Sequence, residues 1–301
     1  MIRSGLGWVA LAFAVGLSGC RGATEPVAEL ATSPPELLLE FGSFVELGVE
    51  IHPLVDLPSG VVPQVFLHLI EEPGSVLLTF DHALPVPFEV GKEIDFKVRV
   101  YQSAIAEPLA PGVYTLSAGL YSGQNGRFPL RTGSPEIARL EYAVAKVRVP
   151  EPSKSLPGVR FSSSWLPIEP GRDRQILARR PLQGAGPGTF QIGPLQGPGE
   201  IFLRLGMPAT GSGRLERLSQ ETTTKVRLHS SCGDFQAELS GDSGADGGVE
   251  TLVPVPSTAG PVQCDVELAP NFVVRNGEQS ESRSISIEIL AWKAGASDEQ
   301  D

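Results

Sequence analysis

"GKEIDFKVRVYQ", residues 91–102, decides the fold class. Ile94, Phe96, Val98 and Val100 alternate with Glu93, Asp95, Lys97 and Arg99, and a period of two sends the apolar set to one side of an extended chain and the charged set to the other. The stretch reads as a strand with one dry and one wet face, as in an antiparallel sheet. Outward from it the texture repeats. Residues 44–51, 64–70, 76–81, 112–121 and 138–149 are strand-like, separated by the turn-forming runs "LPSG", "EEPG", "PVPFEVG" and "LAPG". Gly and Pro number 34 and 27 in 301 residues, and apolar residues at helical spacing are scarce after Cys20. These features predict an all-β chain of two β-sandwiches, 37–149 and 159–292, with a linker at 150–158 and a disordered tail at 293–301.

The chain opens differently. Met1-Ile2-Arg3 is a short positive start, Leu6 to Leu17 an apolar segment, and Ser18-Gly19 a small pair, which together form a secretory signal at 1–19. The apolar segment is shorter than the roughly 20 residues that cross a bilayer. Leu17-Ser18-Gly19-Cys20 resembles the bacterial lipobox, in which the cysteine is acylated and becomes the first mature residue. Each buried CH₂ of such chains contributes about 0.8 kcal/mol, so several chains together anchor permanently. Arg21, rather than Asp, follows the cysteine, which in the enterobacterial sorting pattern favours export to the outer membrane. Residues 20–36, "CRGATEPVAELATSPPE", are small, polar and Pro-containing and read as a flexible tether.

Charge narrows the partners. The whole chain carries −11, and the chain from Cys20 onward loses only Arg3 and carries −12. An acidic surface without a Lys/Arg cluster argues against nucleic acid and against an electrostatic grip on anionic lipid. Attachment to the membrane is then expected through covalent lipid alone. With Cys20 assigned, Cys232 and Cys264 remain as a pair in an exported chain and are expected to form a disulfide. Closing a loop of roughly 33 residues stabilises by about 3 to 4 kcal/mol. His229 with Cys232 is half a zinc site, and no histidine lies within five residues of Cys264.

Six or seven strands in the first block match an immunoglobulin-like sandwich. On His68-Leu69, Phe88, Gly91, Pro111-Gly112, Tyr114, Gly119-Leu120-Tyr121 and Arg127, that block resembles an immunoglobulin-like module of bacterial envelope proteins, including the periplasmic parts of membrane glycosyltransferase-like proteins. On Trp165, Glu169, Arg172 to Arg174, Asn271-Phe272, Gly277, Arg283 and Ile285 to Ile289, the second block resembles a jelly-roll, galactose-binding-like module of similar proteins. These resemblances imply sandwich folds and an envelope setting. A jelly roll also implies that the first and last segments of the block pair in one sheet, bringing Trp165, Glu169 and Arg283 together.

Candidate chemistry is sparse. Gly241-Asp242-Ser243-Gly244 resembles the nucleophile turn of trypsin-like proteases, but none of the four histidines stands in a matching context. Asp242 and Asp246 suggest a calcium loop whose closing Glu is replaced by Val253. A site of His52, His68 and His82 requires three strands to converge, and nothing in their spacing forces it. Glu169 with Arg172, beside Trp165 and facing Arg283, offers either a polar ligand spot with an aromatic platform or a salt bridge pinning the terminal strands. A glycan hydrolase built on Glu169 with Asp234 or Glu238 is the enzymatic rival, and a purely structural part in an envelope assembly is the other alternative. The reading that needs least is a non-catalytic, lipid-anchored envelope protein that takes no cofactor or metal and presents two β-sandwiches to a protein or glycan.

Overall fold

The computed structural model describes residues 25–72, 74–123, 125–152, 157–171, 176–182, 187–195, 197–206, 224–232, 235–241, 248–257, 262–271, 274–276, 279–281 and 286–294. Cys20, Arg172, Arg283, Asp234 and the 242–247 loop lie outside them. Every regular element among the described residues is a strand, and among them no helix is long and apolar enough to cross a membrane.

The first module holds β1 (Ala28–Ser33), β2 (Glu36–Leu38), β3 (Phe44–Pro53), β4 (Gln64–Ile70), β5 (Val76–Thr79), β6 (His82–Ala83), β7 (Ile94–Tyr101), β8 (Gly112–Ser122), β9 (Gly126–Phe128), β10 (Leu130–Arg131), β11 (Glu136–Ala138) and β12 (Glu141–Val149). One sheet runs β10-β1-β3-β7, and the facing one runs β11-β12-β8-β4-β5 with β2, β6 and β9 added at its margins. Leu47, Val49 and Ile51 of β3 meet Leu67 and Leu69 of β4 and Leu116 of β8 between them. Alternation placed the long strands to within two residues. The expected strand 138–149 is instead a bulged pairing of β11 with β12 around Leu140, whose backbone is left-handed (φ 55°).

The tether expectation is overturned beyond residue 27. Ala28 to Ser33 pair residue by residue with Pro53 to Gly48, and Ala28 and Leu30 are buried. Here alternation is carried by small residues, so composition hid it. The tail expectation fails at its start, because the final strand continues through Lys293 to Ala294.

The second module holds β13 (Gly158–Phe161), β14 (Glu169–Pro170), β15 (Leu177–Ala178), β16 (Gly188–Leu195), β17 (Gly199–Gly206), β18 (Thr224–Ser230), β19 (Phe235–Gly241), β20 (Gly248–Val255), β21 (Val262–Asn271), β22 (Val274–Asn276), β23 (Gln279–Glu281) and β24 (Ser286–Ala294). A five-stranded sheet, β13-β16-β21-β18-β19, faces a three-stranded one, β20-β17-β24. Cys232, just after β18, is bonded to Cys264 on β21, with Cα atoms 4.9 Å apart. The first and last strands do not share a sheet, against the jelly-roll expectation. Contact with β24 is made instead beside β15, where Arg179 and Ile287 exchange two backbone hydrogen bonds of 2.9 and 2.8 Å.

The three-stranded sheet is buried on both faces. Ile201, Leu203 and Leu205 of β17 enter the second core, while Phe202 packs into the first beside Ile289 and Ala291 of β24. Six successive residues, Ser286 to Ala291, are buried. Phe202 lies 5.6 Å from the Phe44 ring and 5.9 Å from that of Tyr101. The exchange is mutual, since Ile105 of the first module sits in the second core. Backbone hydrogen bonds seal the joint, from Ala104 N to Leu290 O (2.7 Å) and from Trp292 N to Gly42 O (2.9 Å).

Candidate functional site

Where the two modules meet, an open cleft of about 590 Å³ remains. Its first wall is the charged face of β7, which the sequence marks as wet. Asp95 and Lys97 are exposed, Arg99 is half-buried and Tyr101 is buried, so the second module covers this face progressively along the strand. Sheet alternation builds the second wall: Arg204 lies two residues beyond Phe202 and shares its face. A bulge adds a third group. Arg204 pairs with Ile289 and Leu205 with Ile287, leaving Glu288 as the extra residue of β24. Such a bulge re-aims the side chain it carries, and Glu288 lines the cleft although it is only 2 % exposed. Gly206 makes room for it, since a Cβ there would overlap the Glu288 carboxylate.

Opposite charges alternate along the cleft. Arg204 Nε lies 3.5 Å from Glu288 Oε2, and Arg99 Nη1 lies 3.5 Å from Glu250 Oε2. The Arg99 guanidinium also stands 5.1 Å over the Phe202 ring, and its buried Nε has no hydrogen-bond partner among the described residues. Burial pushes the Tyr101 hydroxyl up to about 12, although Arg204 hydrogen-bonds it and pulls the other way. At one rim, Lys97 and Lys293 reach the same Glu46 oxygen, at 3.3 and 3.2 Å. Burial raises the Glu46 pKa, but the hydrogen bonds and charges of Lys293 and Lys97 outweigh it and hold the carboxyl below its ordinary value. At the other rim, the Tyr121 hydroxyl lies 2.8 Å from Gln64 Oε1 and 3.2 Å from Asp81 Oδ2. Paired donors and acceptors of both signs, with rings between them, suit a polar ligand without a large net charge.

A second polar cluster has the composition of a hydrolytic triad and the wrong order. Ser117 Oγ donates to Glu141 Oε1 at 2.6 Å, while His68 Nδ1 lies 3.5 Å from that same oxygen and Nε2 3.8 Å from Asp81. A nucleophile needs its base within reach; Ser117 instead spends its hydroxyl on the carboxylate and is fully buried. Arg127 donates to the other Glu141 oxygen at 2.7 Å and lies 4.4 Å over the Phe66 ring. Burial raises the Glu141 pKa, and the hydrogen bonds from Ser117 and Arg127, with the charges of Arg127 and His68, lower it further than that. This cluster ties β4, β8 and β12 together.

Of the residues expected to form a site in the second block, Trp165 and Glu169 are described. Trp165 offers no platform: it is buried, 5.1 Å from the Phe161 ring and 6.2 Å from that of Phe190, and its indole N–H donates to Thr189 O at 2.8 Å. Glu169 is salt-bridged to Arg180, and the hydrogen bond to Glu169 raises the arginine's pKa. The three histidines do not converge. His52 lies 3.7 Å from Glu93 on the first sheet, His68 sits in the Glu141 cluster, and His82 packs 5.2 Å from Phe96. The cleft residues themselves were missed. Their signal is a lone charge inside an apolar strand, Arg204 in "IFLRLG" and Glu288 in "SISIEILAW".

No family model matches the chain, and no curated protein is similar to it. Among solved structures, a Bacteroides uniformis β-glucuronidase aligns with 89% of this chain at 12% identity and a TM-score of 0.27. The chain spans 30% of that enzyme's length. A partial N-terminal region of an enterococcal surface protein aligns with 84% of this chain and 86% of its own length, at 8% identity and a TM-score of 0.26.

Proposed function

We propose that the chain is a lipid-anchored protein of the bacterial envelope, held at the outer membrane through Cys20, that binds a polar partner, a glycan or a protein segment, without forming or breaking covalent bonds. The inter-module cleft carries this reading. Both modules supply its walls, and two of its carboxylates are each held by an arginine, Glu250 by Arg99 and Glu288 by Arg204. Carboxylate–arginine pairs of this kind hold donors and acceptors in place, and an incoming hydroxyl or amide exchanges hydrogen bonds with them at little reorganisation cost.

Binding of soluble glycans and envelope extracts is the test. Arg99→Ala and Glu250→Gln are each expected to weaken binding by about tenfold, or 1.4 kcal/mol, with the thermal midpoint little changed. Absence of any ligand or co-purifying protein whose binding responds to these substitutions overturns the assignment of the cleft. Intact mass and membrane fractionation of Cys20→Ala test the anchor.

A further inference from the structure

Val55, Val62, Val86 and Val90 are exposed apolar side chains, and all four lie at one end of the first module. Loop 54–63 carries the chain from β3 to β4 and loop 84–93 from β6 to β7, so each crosses between the facing sheets. Val90 N donates to Asp56 Oδ1 at 3.3 Å and ties them together. The first, "LVDLPSGVVP", contains one charge in ten residues, and the second, "LPVPFEVGKE", is apolar up to Glu89. Scattered surface valines need no explanation, and turns between strands are ordinarily polar; four valines gathered on paired loops mark a contact surface.

Strand register shows what lies beside them. Ala28, the first residue of β1, pairs with Pro53, and Ile51 pairs with Ile94. Val27 O accepts hydrogen bonds from Leu54 N at 2.8 Å and from Val55 N at 3.3 Å. The chain thus enters the fold at the foot of the valine-bearing loops. Val27 stands only seven positions after Cys20, a reach of about 25 Å when fully extended.

We propose that this end of the first module rests on the lipid surface, with the valine tips seated in the interface. The inference rests on acylation of Cys20. It does not rest on charge, because Asp56, Glu89 and Glu93 outnumber Lys92 there, so the contact is apolar and insensitive to salt.

The test uses the full-length acylated protein in phosphatidylcholine vesicles, with an environment-sensitive fluorophore on Val62→Cys or Val90→Cys. A control label on Glu72→Cys sits in the β4–β5 hairpin at the opposite end. The labels at 62 and 90 are expected to shift to the blue and to be quenched by brominated lipid, at low and high salt alike, while the label at 72 does neither. Acylated protein whose labels at 62 and 90 stay in water overturns this inference and leaves the anchor intact. A soluble protein whose mass shows no lipid overturns the anchor, and this inference with it. A blue shift that grows with protein concentration in the absence of vesicles assigns the surface to a second copy of the chain and overturns the lipid contact.

Discussion

Glu288 illustrates how one residue couples fold and site. A bulge turns its carboxylate into the cleft, Arg204 faces it, and Gly206 leaves the space it fills. Gly206→Ala should therefore cost about 1 to 3 kcal/mol in urea unfolding through overpacking. Trimming the carboxylate relieves the same overlap, so adding Glu288→Ala to Gly206→Ala should cost less than the sum of the two single changes; strict additivity would show that the glycine answers to something else. Phe202 does its work by area. Phe202→Ala should cost about 3 to 5 kcal/mol, because the ring fills the joint against Phe44 and Tyr101. Neither role is visible from local sequence. A lone charge in an apolar strand says only that a partner exists, and the partners here come from strands far apart in the chain.

At the scale of elements, legibility followed side-chain size. β7 announces itself because large apolar residues alternate with charges and β4 because it is a run of large apolar residues, whereas β1 offers one large apolar residue, Leu30, among Ala, Glu, Thr and Ser and reads as tether. The distinction has a measurable consequence. Deleting residues through Ser33 would be neutral for a tether; it should unfold the first module, since β1 lies between β10 and β3 and completes that sheet. The disulfide was legible from cysteine count and the expected compartment, and it joins the end of β18 to β21 across 32 positions. Replacing both cysteines by Ala should cost about 3 to 4 kcal/mol, read by chemical denaturation without reductant. Trp165 misled for a physical reason: an indole has one polar atom, and a single backbone carbonyl, that of Thr189, lets the rest of the ring be buried.

For the whole molecule, the decisive fact is that two modules share apolar surface rather than hang on a linker. Two-module organisation was readable from composition, but the docking was not, because the sheet that joins the modules owes its second buried face to contacts over long sequence separations. A shared layer predicts a single calorimetric transition, with Phe202→Ala lowering it as a unit instead of splitting off one module. Acid should act on the same joint. Glu46 titrates below its ordinary value when folded, so its contribution is present at neutral pH and disappears as the pH falls through that lowered value, beneath the usual glutamate range of about 4.3. Glu46→Gln should flatten the fall in stability between about pH 5 and pH 3, and an unchanged slope would remove the Lys97 and Lys293 contacts from the account of docking.

The shared layer also bears on how the protein is made. β24, which supplies Ile289 and Ala291 to the first core, is the last strand described, so a chain that emerges from its N terminus completes its first module only once β24 has followed. Until then the side of the first module that carries Phe44 and Tyr101 stays open, a substrate for chaperones and proteases. Any product stopped short of Ser286 keeps that mark, so the joint makes completion of the first module conditional on the last strand of the second.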